Sequence, residues 1–192
     1  MIAPSFLLTA THAVFDEKLN QLSHETSFTI SQTQLNKFLF QVDVSRIIIH
    51  PNYCKTLEYP VENKKWDLAL LKLNNDINRQ KGGWASLKVL DKKQKGIKIH
   101  VSGYPAQKTL KSYLSHKKYE HMVCLIWSDL LNSWMISTFI MTLIHQGDRV
   151  VEMNGEICCY GIHTDGEIFN RGVKITEETL SFLEYRKRKT LK

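Results

Sequence analysis

The sequence LLTATHAV, residues 7–14, is a short apolar run that ends in a histidine between small residues. Its composition predicts a β-strand whose end carries the ring of His12. A histidine in such a place is most often a hydrogen-bonded structural residue. The alternative is that the strand holds an imidazole ready to accept a proton. The second interpretation requires that the rest of the chain supply partners for the ring.

Similar short segments fill most of the chain. They are rich in β-branched and aromatic residues, and Asn, Asp, Gly and Pro separate them: SFTISQTQL, KFLFQVDV, SRIIIH, WDLALLKL, IKIHVSGY and EICCYGIHTDG. Many short strands at this spacing predict an all-β fold, an antiparallel barrel or sandwich. The last segment, ITEETLSFLEYRKRK, predicts a helix, with Thr176 as its N-cap, glutamates in the first turn and basic residues in the last.

Composition places the chain among folded globular proteins. Its 192 residues suit one ordinary domain or two small lobes, and 43% hydrophobic with 23% charged residues excludes a disordered tail. The net charge of +7 permits a weak alternative, a basic nucleic-acid binder. The basic residues cluster only in KKQKGIK and YRKRK, so solvated surface is the preferred interpretation.

The four cysteines are Cys54, Cys124, Cys158 and Cys159. Their spacing matches neither a zinc site nor a CxxC redox motif, so we expect no metal and no cofactor bound through them. Burial as small hydrophobic residues is the preferred interpretation.

A candidate partner for His12 stands at the head of WDLALLKL, where Asp67 precedes a continuous apolar run. A carboxylate in this position could accept the Nδ1–H of the imidazole, fix its tautomer and stabilise the imidazolium. Taken alone, an aspartate that caps a strand is the more ordinary interpretation.

The segments TATHAV, IIIHPNY and WDLALLKL occur in this order, and Asp67 follows His12 by 55 positions. This arrangement resembles the trypsin-like serine proteases, whose motifs read T-A-A-H-C, H-P-x-Y and D-L-A-L-L. VSGYPA at 101–106 and YGIHTDGEIFNRGVKIT at 160–176 resemble the bacterial-type glutamyl endopeptidase branch. The resemblance covers residues 5–15, 45–75, 100–106 and 155–185. Several motifs in matching order are far more specific than any one of them.

The resemblance implies a chymotrypsin-like fold of two antiparallel β-barrels. Residues 1–85 would form an incomplete first barrel, 86–175 a second barrel with an irregular segment at 122–150, and 176–192 a helix and basic tail. His12 would be the general base and Asp67 its orienting acid. His163 of the G-I-H motif would bind an acidic side chain in the specificity pocket, although a structural histidine is the default for that residue alone.

The resemblance also bears on partners and location. It implies an extracellular monomer that acts on a polypeptide substrate, with no cofactor, nucleic acid or membrane partner. No secretory signal is visible, since IAPSFLL is short and lacks a basic leader, so Met1 is expected to be an internal start. Only eleven residues precede His12, fewer than the family carries, and the first barrel is therefore expected to have an open edge.

The family's nucleophile motif, G-x-S-G-x-P, is missing. No Ser-Gly dipeptide occurs between Val123 and His163, and Arg149 in HQGDRVVEMNG stands near the place expected for the serine. Arginine cannot attack a carbonyl, and loss of a triad serine lowers turnover on the order of a millionfold. The chain as written is expected to be inactive as a peptidase. One alternative is a dead homologue that binds proteins in its cleft.

The mostly apolar stretch 122–144 shows no clear period and is expected to be irregular. A membrane-spanning helix would fit its length, but Asp129 and Asn132 interrupt it. A one-base frame slip is a further hypothesis: read one base earlier, Trp134-Met135-Ile136 yields Asp-Asp, and His145-Gln146-Gly147 can encode Ser-Gly. The nucleotide sequence across this interval would distinguish a slip from a true pseudoenzyme.

Overall fold

The computed structural model describes residues 1–30, 40–55, 63–77, 84–89, 98–103, 119–128, 133–137, 149–153, 157–165 and 170–191. The strands are β1 Phe6–Thr9, β2 Phe15–Asp16, β3 Gln21–Leu22, β4 Ser27–Ile30, β5 Phe40–Ile49, β6 Ala69–Leu73, β7 Ser86–Leu87, β8 Lys98–Gly103, β9 Tyr119–Ser128, β10 Ser133–Ser137, β11 Arg149–Met153, β12 Ile157–Asp165 and β13 Asn170–Lys174. The helices are α1 Pro51–Lys55 and α2 Glu177–Thr190, and single 3₁₀ turns span Thr11–Ala13 and Lys64–Trp66.

The amino-terminal strands form a four-stranded sheet in the order β1-β6-β5-β4. Each neighbouring pair is antiparallel, and β6 lies between β1 and β5. In the described part of the chain this sheet does not close on itself. The expectation of an incomplete first barrel is therefore confirmed.

Alternation along β6 shows how this sheet is packed on both faces. Leu70 is fully buried in a cluster that also contains Ile162 of β12, Val173 of β13 and Leu183 of α2. Leu71 lies in a second cluster on the other face of the sheet, together with Ala69 and Leu73. Successive strand residues point to opposite faces, so one strand contributes to both cores. The first cluster joins the amino-terminal sheet to the carboxy-terminal one.

The second sheet closes into a barrel. Its strands run in the order β11-β8-β9-β10-β13-β12, and β11 also pairs with β12 and completes the ring. Strand β7 adds to β12 in parallel. The predicted all-β, chymotrypsin-like architecture is confirmed. Strand β6 is the last strand of the first sheet along the chain, and β7 is the first strand of the second sheet. The residue boundaries of the predicted domains remain a prediction.

The terminal helix α2 begins as the sequence predicted. Thr176 accepts a hydrogen bond from the backbone N–H of Thr179 through its hydroxyl oxygen, at 3.2 Å. The backbone N–H of Thr176 donates to the Thr179 hydroxyl at 2.8 Å, which completes a reciprocal cap. Glu177 and Glu178 lie in the first turn, near the positive end of the helix dipole.

Part of the segment expected to be irregular is ordered strand. Strands β9 and β10 cover residues 119–128 and 133–137 and pair with each other, and β11 begins at Arg149. The prediction of an irregular 122–150 segment is therefore wrong for these residues. Backbone pairing defines β9, which lies between β8 and β10, and this pairing with distant segments is not visible in a local sequence pattern. Within the described residues, no helix has the length and apolar character needed to cross a membrane.

The cysteine prediction holds only in part. Cys158 and Cys159 are buried in β12. Cys54 is exposed on the short helix α1, so burial was the wrong expectation for this residue. The side chain of Cys124 lies outside the described residues.

Candidate active site

His12 lies on a 3₁₀ turn that follows β1, rather than at the end of the strand as expected. The strand stops at Thr9, and Ala10 is extended before the turn begins. The Val14 N–H donates to the Thr11 carbonyl at 2.9 Å and closes the turn. Thr11 is completely buried, while the His12 side chain keeps 22% exposure. Buried Thr11 therefore anchors the turn and part of the imidazole stays exposed, although its Nε2 atom is itself buried.

Asp67 also lies before its strand and not in it. It follows the 3₁₀ turn Lys64–Trp66, and β6 begins two residues later at Ala69. The Leu68 N–H donates to the Trp66 carbonyl at 2.7 Å, and Leu68 itself is buried. Asp67 is 5% exposed, so its carboxylate needs hydrogen-bond donors.

His12 supplies two of those donors. Its Nδ1 lies 2.6 Å from Oδ2 of Asp67, and its backbone N–H donates to Oδ1 at 3.0 Å. Because an ionised carboxylate only accepts, the proton in the short contact is assigned to Nδ1. This tautomer leaves the lone pair on Nε2, the nitrogen that could take a proton from a nucleophile. The arrangement can therefore act as a general base with an orienting acid.

A second polar cluster lies beside this pair. The buried hydroxyl of Tyr53 on α1 donates to Oε1 of Glu17, and Nδ2 of Asn63 donates to the same oxygen at 3.2 Å. The Tyr53 ring packs edge-on against Phe15, with centroids 5.9 Å apart. Burial raises the pKa of Tyr53, and the hydrogen bond to Glu17 and the negative charge of Asp67 raise it further. The hydroxyl therefore stays a proton donor.

This cluster was missed at the level of sequence. The one available signal was Tyr53 in the HPNY motif, residues 50–53. Glu17 and Asn63 carry no local pattern that marks them as partners of Tyr53, since they lie 36 and 10 positions away from it. Only the fold brings these three residues together.

The two remaining predicted residues lie on the closed barrel. His163 is on β12, opposite Gly172 of β13, and a register shift follows it. Arg149 is the first residue of β11, opposite Ile162 of β12 and Ser102 of β8. Residues 141–148, which directly precede Arg149, lie outside the described part of the chain. The roles predicted for His163 and Arg149 therefore stay predictions. Among the described residues, no group of three His, Cys, Asp or Glu side chains is placed to hold a metal ion.

Comparison with solved structures gives the same fold. A Glu endopeptidase superimposes with a TM-score of 0.80 at 21% identity, covering 98% of this chain and 83% of the other. A thermostable serine protease from an extremophilic microorganism superimposes with a TM-score of 0.75 at 13% identity, covering 96% of this chain and 85% of the other. A scabies mite inactivated protease paralogue superimposes with a TM-score of 0.73 at 17% identity, again covering 96% of this chain and 85% of the other. At these identities the likeness shows the fold alone.

Sequence comparison adds the family. No curated protein sequence matches the chain. The family model described as Trypsin matches residues 1–148, and this range holds both His12 and Asp67 and stops one position before Arg149. With most of its length matched, the chain belongs to the trypsin family of serine proteases.

Proposed function

We propose that this chain is a trypsin-family member that keeps the general base and its orienting carboxylate but lacks the nucleophile, and that it binds polypeptides without hydrolysing them. The pairing of His12 with Asp67 at 2.6 Å is the observation that supports retained family machinery. The absence of a Ser-Gly dipeptide between Val123 and His163 supports the loss of activity.

The chemical argument concerns what the imidazole would act on. In an active member of the family, the histidine takes the serine proton, the aspartate stabilises the imidazolium, and backbone amides hold the oxyanion. Arg149 carries a fixed positive charge and no lone pair available for acylation. Without a nucleophile, the residual acceleration over water from binding and oxyanion contacts is roughly 10³–10⁴-fold, far below that of an active protease.

The ligand is proposed to be a polypeptide that presents Glu or Asp. The sequence GIHT at 161–164 on β12, similar to that of the glutamyl endopeptidase branch, supports this choice. An imidazole that donates to a carboxylate makes a charge-assisted hydrogen bond, which is stronger than a neutral one. His163→Ala is therefore expected to weaken binding of a Glu-containing peptide more than binding of its Gln counterpart.

The decisive test is labelling with a fluorophosphonate probe, because this reagent modifies only an activated hydroxyl. The folded chain is expected to remain unlabelled under conditions in which an active trypsin-family protease is labelled to completion. Labelling that disappears in His12→Gln would overturn the proposal and show an active serine peptidase.

The nucleotide sequence separates the two origins of the missing serine. An undisturbed reading frame from Trp134 to Val151 in independent transcripts supports a true pseudoenzyme. A one-base slip in that interval would restore the second candidate, a serine endopeptidase that cleaves after acidic residues. Trypsin-like proteases are typically secreted, and we propose an extracellular location for this chain as well.

A further inference from the structure

Glu17 occupies a turn whose shape is fixed by its own residues. It follows β2 in the hairpin that leads to β3, directly after Asp16. Oδ1 of Asp16 accepts the backbone N–H groups of Lys18 and Leu19 at 2.9 and 3.1 Å. Asn20 has a φ of 50°, a left-handed conformation that asparagine tolerates better than most residues. The hairpin therefore presents the Glu17 carboxylate in a defined place, five residues after His12.

The two residues that donate hydrogen bonds to Glu17 lie near Asp67. Asn63 is the residue directly before the 3₁₀ turn that leads to Asp67, four residues later. Tyr53 lies on α1 and is close enough to Asp67 for that charge to raise the pKa of its hydroxyl. Asn63 and Tyr53 are both buried, at 6% and 2% exposure, and both donate to the same oxygen of Glu17.

In addition to the β1–β6 ladder, which pairs Thr9 with Ala69, two sets of hydrogen bonds that involve side chains connect the same two segments. The first joins His12 directly to Asp67. The second runs from the hairpin that follows His12, through Glu17, to the turn that precedes Asp67. The ladder ends at Thr9 and Ala69, and the 3₁₀ turn next to each end has internal hydrogen bonds that do not join it to the other segment.

We propose that Glu17 is a positioning residue: by accepting hydrogen bonds from Tyr53 and Asn63, it holds the segment that carries Asp67 in register with the segment that carries His12. The carboxylate is suited to this task because one oxygen can accept two donors at once. Its loss removes an acceptor from two buried donors, and the rearrangement that re-forms their hydrogen bonds is expected to shift the segment that carries Asp67. The role does not depend on a nucleophile and is therefore separate from the proposed loss of activity.

The test is the low-field proton NMR signal of His12 Nδ1–H in ¹⁵N-labelled protein, assigned by its disappearance in His12→Gln. In Glu17→Ala the signal is expected to shift to higher field or to be lost through exchange with water. Tyr53→Phe, which keeps the ring against Phe15, is expected to shift it in the same direction. Glu17→Gln keeps a carbonyl acceptor and is expected to restore the wild-type position.

Glu25→Ala is the matched control, because Glu25 is an exposed carboxylate between β3 and β4 and its removal is expected to leave the signal unchanged. A far-UV circular dichroism spectrum equal to that of the wild type shows that a variant is folded, so that a change in the signal is local. If Glu17→Ala does not fold, Tyr53→Phe provides the test. Signals at the wild-type field in both Glu17→Ala and Tyr53→Phe would overturn the proposal. A wild-type protein without the signal would overturn the His12–Asp67 pairing itself, which is a distinguishable result.

Discussion

His50 and Trp66 stack almost face to face, with ring centroids 4.4 Å apart and planes 13° from parallel. His50 follows β5, and Trp66 is the residue before Asp67. Phe182 of α2 contacts the same imidazole, with centroids 4.6 Å apart. This contact joins the amino-terminal sheet, the turn that carries Asp67 and the terminal helix. The stack therefore ties the position of the candidate catalytic carboxylate to the packing of α2.

The stack predicts a pH dependence of stability. Burial lowers the pKa of His50 below its ordinary value of 6.5, and the Arg186 charge adds to this, while the Glu178 charge opposes it. Nδ1 of His50 accepts the Asn52 N–H at 3.2 Å, an arrangement that needs an unprotonated nitrogen. Between the lowered pKa and pH 6.5 the unfolded chain binds the proton more readily, so the free energy of unfolding falls as pH falls through this window.

Urea unfolding at several pH values checks this prediction. His50→Gln removes the titrating group and is expected to flatten the dependence below pH 6.5 relative to wild type. His24→Gln, at an exposed position, is the control and is expected to keep the wild-type slope. Equal slopes in wild type and His50→Gln would show that the stack does not carry the effect.

Leu70 is predicted to be a major contributor to the packing of the two sheets. It is completely buried on β6, in the cluster shared with β12, β13 and α2. Leu70→Ala removes this contact and leaves a cavity, at an expected cost of about 2–5 kcal/mol in the free energy of unfolding. Leu191→Ala, at a side chain that is 65% exposed, should change it by less than about 0.5 kcal/mol. Similar costs at the two positions, measured by denaturant unfolding, would contradict the assigned core.

The cap of α2 makes a smaller prediction. Thr176→Ala removes the hydroxyl that accepts the Thr179 N–H, at an expected cost of about 1 kcal/mol. For a chain of this size that corresponds to a fall in Tm of about 2–4 °C. Ser181→Ala, an exposed position in the same helix, is the control and should leave Tm unchanged or slightly raised. A Tm for Thr176→Ala equal to that of wild type would rule out a stabilising cap.

Local pattern predicted the elements with strong local causes. The cap at Thr176 and the apolar run of β6 both follow from short-range chemistry, and both lie close to where they were expected. The sequence pattern predicts His12 and Asp67 at the ends of strands. In the structure His12 lies in a 3₁₀ turn and Asp67 directly follows one. A turn of three residues is too short to leave a periodicity that sequence reasoning could use.

Long-range contacts could be predicted only where a family motif carries both residues. The contact of His12 with Asp67 could be anticipated because ordered family motifs carry both residues. The contact of Glu17 with Asn63, 46 positions apart, lies in no motif and depends on how the hairpin packs against the turn that precedes Asp67. Strands β9 and β10 were missed because their pairing with neighbours, and not an alternating pattern, defines them.

The most direct test of the whole account is whether the Nδ1 proton of His12 is held by Asp67. Asp67→Asn can still accept the His12 backbone N–H but presents an amide donor to Nδ1, which would favour the wrong tautomer. We therefore predict a low-field, ¹⁵N-coupled His12 Nδ1–H resonance in the wild-type protein and its loss in folded Asp67→Asn. A wild-type spectrum without that resonance, or one that persists unchanged in Asp67→Asn, would contradict the pairing on which the family mechanism depends.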